Sequence, residues 1–325
     1  MALTPKNPQH ALQIQAGVYG RIAGHDFENN LAKAINNLPC PIIKNPLPKH
    51  LVYDDIEIAV VKKALQVLGW DTCRSVEAIA LGSLATAEAG KKWLEVNGIK
   101  VKACKSDILL TIHANDGMAK KTVGLSVKQC GKKTPTNAQL FFTTARAFCK
   151  LLRENGIPVS DVAVNALRQF CGDNGFRPLD NPADLNERKT DPRRYFWEEI
   201  HAEGRIELEQ IFSEKQREIT RLLLQKAYLD DPFAPELLLH LTKKAPSHQP
   251  QEFALYTIDE LVELSHNYAG FEKKKYSVRK GSYKDPMNVQ HDAPRFGIIQ
   301  IQRGGQAQHP EQLQFNLQAG YFYKI

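Results

Sequence analysis

Residues 106–129, SDILLTIHANDGMAKKTVGLSVKQ, constrain this chain more than any other stretch. Two runs of alternating character flank Asn115-Asp116-Gly117. An Asp-Gly pair between such runs specifies a β-hairpin, because both central residues of the turn must tolerate positive φ. In the first run Ile108, Leu110 and Ile112 share one face, and Asp107, Leu109, Thr111 and His113 the other. In the second, Val123, Leu125 and Val127 oppose Thr122, Gly124, Ser126 and Lys128. A two-residue turn at Asp116-Gly117 pairs Asn115 with Met118. Counting outward, Asp107 falls opposite Ser126 and Lys128 lies two residues further along the same face; any loop of even length preserves that grouping.

An aspartate and a lysine converging away from the turn are the groups that hydrolysis of a phosphate diester needs. The carboxylate holds a divalent cation, the cation stabilises the transition state, and the ammonium orients or helps deprotonate a water. A surface hairpin with a cross-strand ion pair fits the same pattern. The order Asp107, turn, Ser126-Val127-Lys128 resembles the PD-(D/E)xK nuclease superfamily, in the SxK variant found in some type II restriction endonucleases. Ser106 stands where that family often has Pro, and Ser126 where it often has a second carboxylate. The resemblance implies that Asp107 is the primary metal ligand and that Lys128 positions the attacking water. It also implies that Ser126 bonds a metal-bound water and that Val127 offers its backbone carbonyl to the cation.

Residues 17–38, GVYGRIAGHDFENNLAKAINNL, predict a helix with Asp26 as N-cap and Phe27, Leu31, Ala34, Ile35 and Leu38 as its apolar stripe. Glu28 falls at the edge of the stripe, where an acid is also favoured by the helix dipole. The GxxFExxLAxxIN texture resembles the first helix of the same superfamily, which implies that Glu28 points at the metal site as a second carboxylate. Glu77 and Glu88 are alternative acids.

The composition agrees with a nucleic-acid partner. A formal net charge of +7 and a pI near 9.0 favour polyanions, because basic side chains gain affinity by releasing condensed counterions. Apolar content of 42% and charged content of 24% exclude wholesale disorder. Six widely spaced cysteines without a CxxC pair suggest neither a zinc knuckle nor a disulfide framework, and fit reduced thiols in a cytoplasmic protein. No stretch approaches the roughly 20 apolar residues of a membrane span, nor does the start of the sequence carry an apolar signal-peptide core.

Elsewhere the periodicity predicts helices over about 54–69 and 76–96, a strand over Ile99 to Cys104, and a helix over about Ala138 to Glu154. It predicts further helices over Tyr195 to Tyr228, broken near Gly204, around Pro235 to Thr242, and after the capping box Thr257-x-x-Glu260. A polar loop at Gly131 to Asn137 carries Lys132, Lys133 and Asn137 just past Lys128, where they suit backbone phosphates. The run KKKYSVRKGSYK, which holds Lys273, Lys274, Arg279 and Lys280 with Tyr276 and Tyr283 interleaved, suits phosphates and base stacking, or a solvated surface. Gly297 to Arg303 and Gln312 to Gln318 alternate as strands, with Gln300 and Gln302 on a polar face and Arg303 and Gln306 in or beside a following loop. Gln and Asn amides suit adenine and Arg suits guanine, and a solvated amide-rich sheet edge fits the same residues. The ending FGIIQIQRGGQ…LQF also resembles the tails of several restriction endonucleases.

Together the hairpin, first helix and tail imply an α/β restriction-endonuclease-like core: a central mixed β-sheet flanked by helices, with a helical insertion and a C-terminal β-rich region. The corresponding domains are 1–175, 176–250 and 251–325. The implied activity is site-specific, Mg2+-dependent hydrolysis of double-stranded DNA, with one or two Mg2+ per active site and 5′-phosphate products. The implied partners are a second copy in a homodimer and a cognate DNA methyltransferase. A structure-specific or repair nuclease on the same core, a non-catalytic DNA-binding module, and a structural protein with a basic surface fit parts of the sequence as well.

Overall fold

The structure is a computed structural model that describes residues 8–45, 47, 50–52, 55–82, 94–96, 98–101, 104–130, 137–178, 194–226, 232–242, 252–277, 290–303 and 312–319. The chain forms two compact units, Met1–Thr134 with Gln225–Ile258 and Pro135–Leu224 with Asp259–Ile325. Each is assembled from two separate segments. Among the described residues no helix is long and apolar enough to cross a membrane.

The first unit begins with α1 (Pro8–Asn36), β1 (Ile42–Ile43), β2 (Leu51–Val52), α2 (Ile56–Leu68), β3 (Thr72–Cys73) and β4 (Ser75–Ala80). It continues with β5 (Leu94–Val96), β6 (Ile99–Val101), β7 (Ile108–His113) and β8 (Lys120–Cys130). The chain then passes through β9 (Ala138–Thr144) in the second unit and returns for β10 (Pro235–Thr242) and β11 (Phe253–Thr257). A six-stranded sheet of order β2-β11-β10-β8-β7-β4 is antiparallel except where β10 runs parallel to β8, which makes it mixed. One face is apolar at every second residue, including Ile108, Leu110, Val123, Leu125, Leu237 and Leu239. Leu31 and Ile35 of α1 and Val61 and Leu65 of α2 close over it. Burial of this kind stabilises by roughly 25 cal/mol per Å² of apolar surface removed from water.

The hairpin register is the one the sequence predicts. Ile108 pairs with Leu125 and His113 with Lys120, and Asp107 N donates to Leu125 O at 2.9 Å, so Asp107 lies opposite Ser126. The loop is longer than expected: Ala114 N donates to Ala119 O, which leaves residues 115–118 between, with Gly117 at φ +71°. Its even length preserves the side-chain grouping.

Several predicted helices are strands. Over 76–96 the first segment is β4, whose buried Val76, Ala78 and Ala80 alternate with exposed Glu77 and Ile79. Pairing with β7 overrides the helical propensity of its alanines. Pro235–Thr242 is also a strand. Leu237, Leu238 and Leu239 are all buried, because β10 lies between β8 and β11 with both faces covered, and such a strand loses the period of two. Residues 138–144 form β9, and the predicted helix starts only where Thr144 Oγ1 accepts from Ala147 N at 3.2 Å. Of the strand expected over Ile99 to Cys104, Ile99–Val101 is described as a strand and pairs with β5 in a separate ribbon, while 102 and 103 lie outside the described residues. Asp26 caps nothing, since α1 begins at Pro8 and runs through it.

The second unit holds α3 (Ala145–Glu154), α4 (Asp161–Cys171), a short 3-10 helix at Trp197–Glu199, α5 (Ala202–Glu214), α6 (Gln216–Gln225) and α7 (Ile258–Tyr268). Its sheet has the order β12 (Phe271–Ser277), β13 (Gln290–Phe296), β14 (Ile299–Arg303), β15 (Gln312–Leu317), β9, all antiparallel. Ile299, Ile301, Leu313, Phe315 and Leu317 are buried, with Phe148 of α3 4.8 Å from Phe315 and Phe212 of α5 4.8 Å from Phe296, ring centre to ring centre.

Gly204 sits inside α5 and does not break it. A Cβ there would lie 2.6 Å from Ala166 Cβ and 2.7 Å from Val162 O of α4. Alanine has the better helix propensity by about 1 kcal/mol, but the close helix crossing outweighs it. Gly204→Ala is therefore expected to lower stability by about 1–3 kcal/mol in urea denaturation, and an unchanged or raised midpoint would contradict this reading of the crossing.

Candidate active site

Asp107 precedes β7 and meets the middle of β8, as the hairpin register requires. Its Oδ2 accepts from Val127 N at 2.6 Å, Ser126 Oγ at 3.2 Å and Lys128 Nζ at 3.3 Å. Lys128 Nζ also donates to Ser126 Oγ at 2.9 Å and Val127 O at 3.0 Å. Ser126 is buried, whereas the Asp107 and Lys128 side chains are 25% and 19% exposed, so the cluster is fixed from below and open to a ligand. All three donors converge on Oδ2. The Val127 carbonyl, expected as a metal ligand, accepts from Lys128 here.

Glu28 reaches the same place from α1. The buried Leu31, Ala32 and Ile35 anchor that helix on the sheet, and Glu28, one turn earlier, is 7% exposed. Burial pushes its carboxyl up to about 8; the nearby Asp107 charge adds to the rise and the Lys128 ammonium partly offsets it. Its buried Oε2 has no hydrogen-bond partner. Gly82, just beyond β4, makes room for it, because a Cβ there would run into Glu28 Oε2 and lie 3.2 Å from His25 Cδ2. Gln129 Nε2 donates to Gly24 O at 3.3 Å, tying β8 to α1 beside the cluster.

A desolvated carboxylate oxygen without a donor suits a cation. Among the described residues no group of three or more His, Cys, Asp or Glu could hold a metal. Two carboxylates and a backbone carbonyl fit Mg2+, which keeps several of its waters and takes only one or two carboxylates from protein. Glu77, an alternative acid, pairs instead with His113 at 3.6 Å toward the hairpin loop, and Glu88 lies outside the described residues.

Two polar groups near the cluster escape sequence reasoning. His240 pairs in register with Lys128 on the parallel strand β10 and is 1% exposed. Burial, aided by the Lys128 charge, lowers its pKa to about 4, so it stands neutral beside the ammonium. Glu236 Oε2 accepts from Gly124 N at 2.6 Å, two residues before Ser126, and burial is the main cause of its raised pKa. Both lie in the segment predicted as a helix; a single polar residue interrupting an apolar run is the signal that marks His240.

The expected DNA contacts are only partly described. Lys132, Lys133, Arg279, Lys280 and Gln306 lie outside the described residues. Lys273 pairs with Glu209 at 3.1 Å and Lys274 with Glu272 at 3.4 Å, so these two lysines of the basic run already have carboxylate partners. Asn137 Nδ2 donates to Gln300 Oε1 at 3.4 Å, and Asn316 Nδ2 to Gln302 Oε1 at 3.0 Å. Arg303 is the last residue of β14, opposite Leu313. Asn137, Lys273, Lys274, Gln300, Gln302 and Arg303 belong to the second unit and the Asp107 cluster to the first.

No family model matches the chain, and no curated protein matches it. Among solved structures, the chain is similar to the crystal structure of restriction endonuclease MspI in complex with its cognate DNA, at 14% sequence identity over 80% of this chain and 78% of that one, with a TM-score of 0.43.

Proposed function

We propose that this chain is a Mg2+-dependent endonuclease that hydrolyses double-stranded DNA at a specific sequence, as type II restriction endonucleases do. The observation that carries the reading is the buried Glu28 oxygen without a donor, held beside Asp107 and Lys128 over a glycine that makes room for it. Asp107 Oδ1 and Glu28 Oε2 would hold the metal, with Val127 O available once Lys128 turns toward a ligand. Bound there, Mg2+ supplies the positive charge that stabilises the transition state and the leaving oxygen. Lys128 orients the attacking water and, by its positive charge, favours loss of that water's proton to the surrounding solvent. Ser126, bonded to both Lys128 and Asp107, fixes the ammonium in place. His240 stays neutral and adds no second charge near it.

Cleavage leaves 5′-phosphates in this reading, and a palindromic site would be met by a homodimer. A cognate methyltransferase completes the system. A structure-specific or repair nuclease would use the same residues. A binding module would have no use for a desolvated carboxyl beside a lysine.

Mg2+ titrated into the protein calorimetrically at pH 7 tests the site. Glu28 is mostly protonated at that pH, so binding is expected to release protons and its heat to vary with the ionisation enthalpy of the buffer. Glu28→Gln should bind about tenfold or more weakly and without that release. Buffer-independent heats together with equal affinities would remove Glu28 from the site.

A further inference from the structure

On β9, β14 and β15 one face of the second sheet is core and the other is an array of amides. Gln300 pairs with Asn316 and Gln302 with Gln314 across β14 and β15. On the edge strand β9, Asn316 meets Gln139 and Gln314 meets Phe142. Phe141 and Phe142 point to opposite faces. Phe141 stacks on buried Phe315 with ring centres 6.3 Å apart, while Phe142 is 51% exposed among the amides. The bond from Asn316 Nδ2 to Gln302 Oε1 holds two of the amides in place and leaves each with further donor and acceptor capacity.

The chemistry of this face selects its ligand. Among the described residues of these three strands it carries no charged side chain, and on the neighbouring β13 the Arg295 opposite Gln300 is buried and paired with Glu272, so these amides have no exposed cation beside them to exchange for the counterions of phosphate. It offers paired donors and acceptors around one apolar ring. The adenine edge presents an acceptor beside a donor, which an amide matches with both of its groups. The thymine edge presents an acceptor and a methyl. Guanine presents two acceptors, which suit Arg or Lys. β9 is the edge strand of the five-stranded sheet, so Gln139 and Phe142 stand at the border of the face, where a partner reaches them.

We infer that this face reads A·T base pairs of double-stranded DNA, with Gln139 and Gln314 on adenine edges and Phe142 against a thymine methyl. The inference rests on the nuclease reading and specifies what its recognition site contains. Gln139 and Phe142 are not visible as readers from the sequence, where their segment is predicted as a helix.

The test uses the full chain, Ca2+ in place of Mg2+, and a duplex library with a randomised centre, from which bound sequences are recovered. The selected sites should share A·T pairs at fixed positions. Replacing thymine by uracil at those positions should weaken the wild-type protein about fivefold or more and leave Phe142→Ala unaffected; Gln314→Ala should relax selection at one pair. Selected sites of G·C pairs alone, indifference of the wild type to uracil, or unchanged selection by Phe142→Ala would overturn the inference and leave the nuclease reading standing. So would a dimer that Phe142→Ala dissociates with its base preference intact, since the face would then join two copies of the chain. Should Phe142→Ala fail to fold, the uracil comparison on wild-type protein decides alone. Failure to bind or cut any duplex would overturn the nuclease reading and this inference with it.

Discussion

Lys128→Ala abolishes the cleavage of duplex DNA in this account, lowering the single-turnover rate about a thousandfold or more while duplex affinity stays within a few-fold. The asymmetry follows from the geometry. Lys128 Nζ bonds Asp107, Ser126 and the Val127 carbonyl, all within the cluster, so among the described residues its loss acts on that cluster rather than on the expected DNA contacts of the second unit. Asp107→Asn should behave similarly and is a cleaner probe than alanine. Asp107 Oδ2 accepts three hydrogen bonds, and truncation would strand the Val127 N–H, the Ser126 hydroxyl and the lysine together. A rate within tenfold of wild type in either variant would mean that the cluster is an ordinary cross-strand ion pair.

Glu28→Gln should stabilise the metal-free protein at alkaline pH while destroying its activity. The direction follows from linkage. Glu28 titrates from the ordinary value of 4.5 in the unfolded chain to about 8 in the folded one, so between those values the folded state holds the extra proton. Stability from this residue is fully present below pH 4.5 and is lost as the pH rises to 8, where a bare carboxylate must be buried. Glutamine removes the titration. In chelator, the melting temperatures of the two proteins should nearly coincide at pH 4.5 and diverge to a plateau above pH 8, with the variant higher by on the order of 5 kcal/mol of stability. A gap that does not change with pH, or a less stable variant at pH 9, would contradict the burial argument.

How far the sequence reveals this arrangement depends on what each strand packs against. The hairpin is legible because β7 and β8 have one apolar and one mainly polar face and a turn that fixes parity; Asp107, Ser126 and Lys128 follow from counting. Glu28 is legible as a position, since the stripe through Leu31 and Ile35 defines which side of α1 meets the sheet. Its proximity to Asp107 depends on tertiary packing that no local pattern encodes. The run PELLLHLT hides β10, because a strand covered on both faces has no alternation to read, and His240 is hidden with it. In β9 and α3 the chain changes from period 2 to period 3.6 at Thr144 without Gly or Pro to mark the change. The two units are interleaved along the chain, so composition alone could not divide them.

The central claim is that Asp107, Glu28 and Lys128 form a metal-dependent centre for cutting DNA. A digest of mixed plasmid and phage DNA with Mg2+, run beside a chelator lane and a Lys128→Ala lane, tests it most directly. Discrete fragments that vanish in both controls, with end sequences that share one motif, are the predicted result. DNA that is retarded on a native gel but left uncut under all conditions would contradict it and reduce the cluster to a structural feature of a DNA-binding protein.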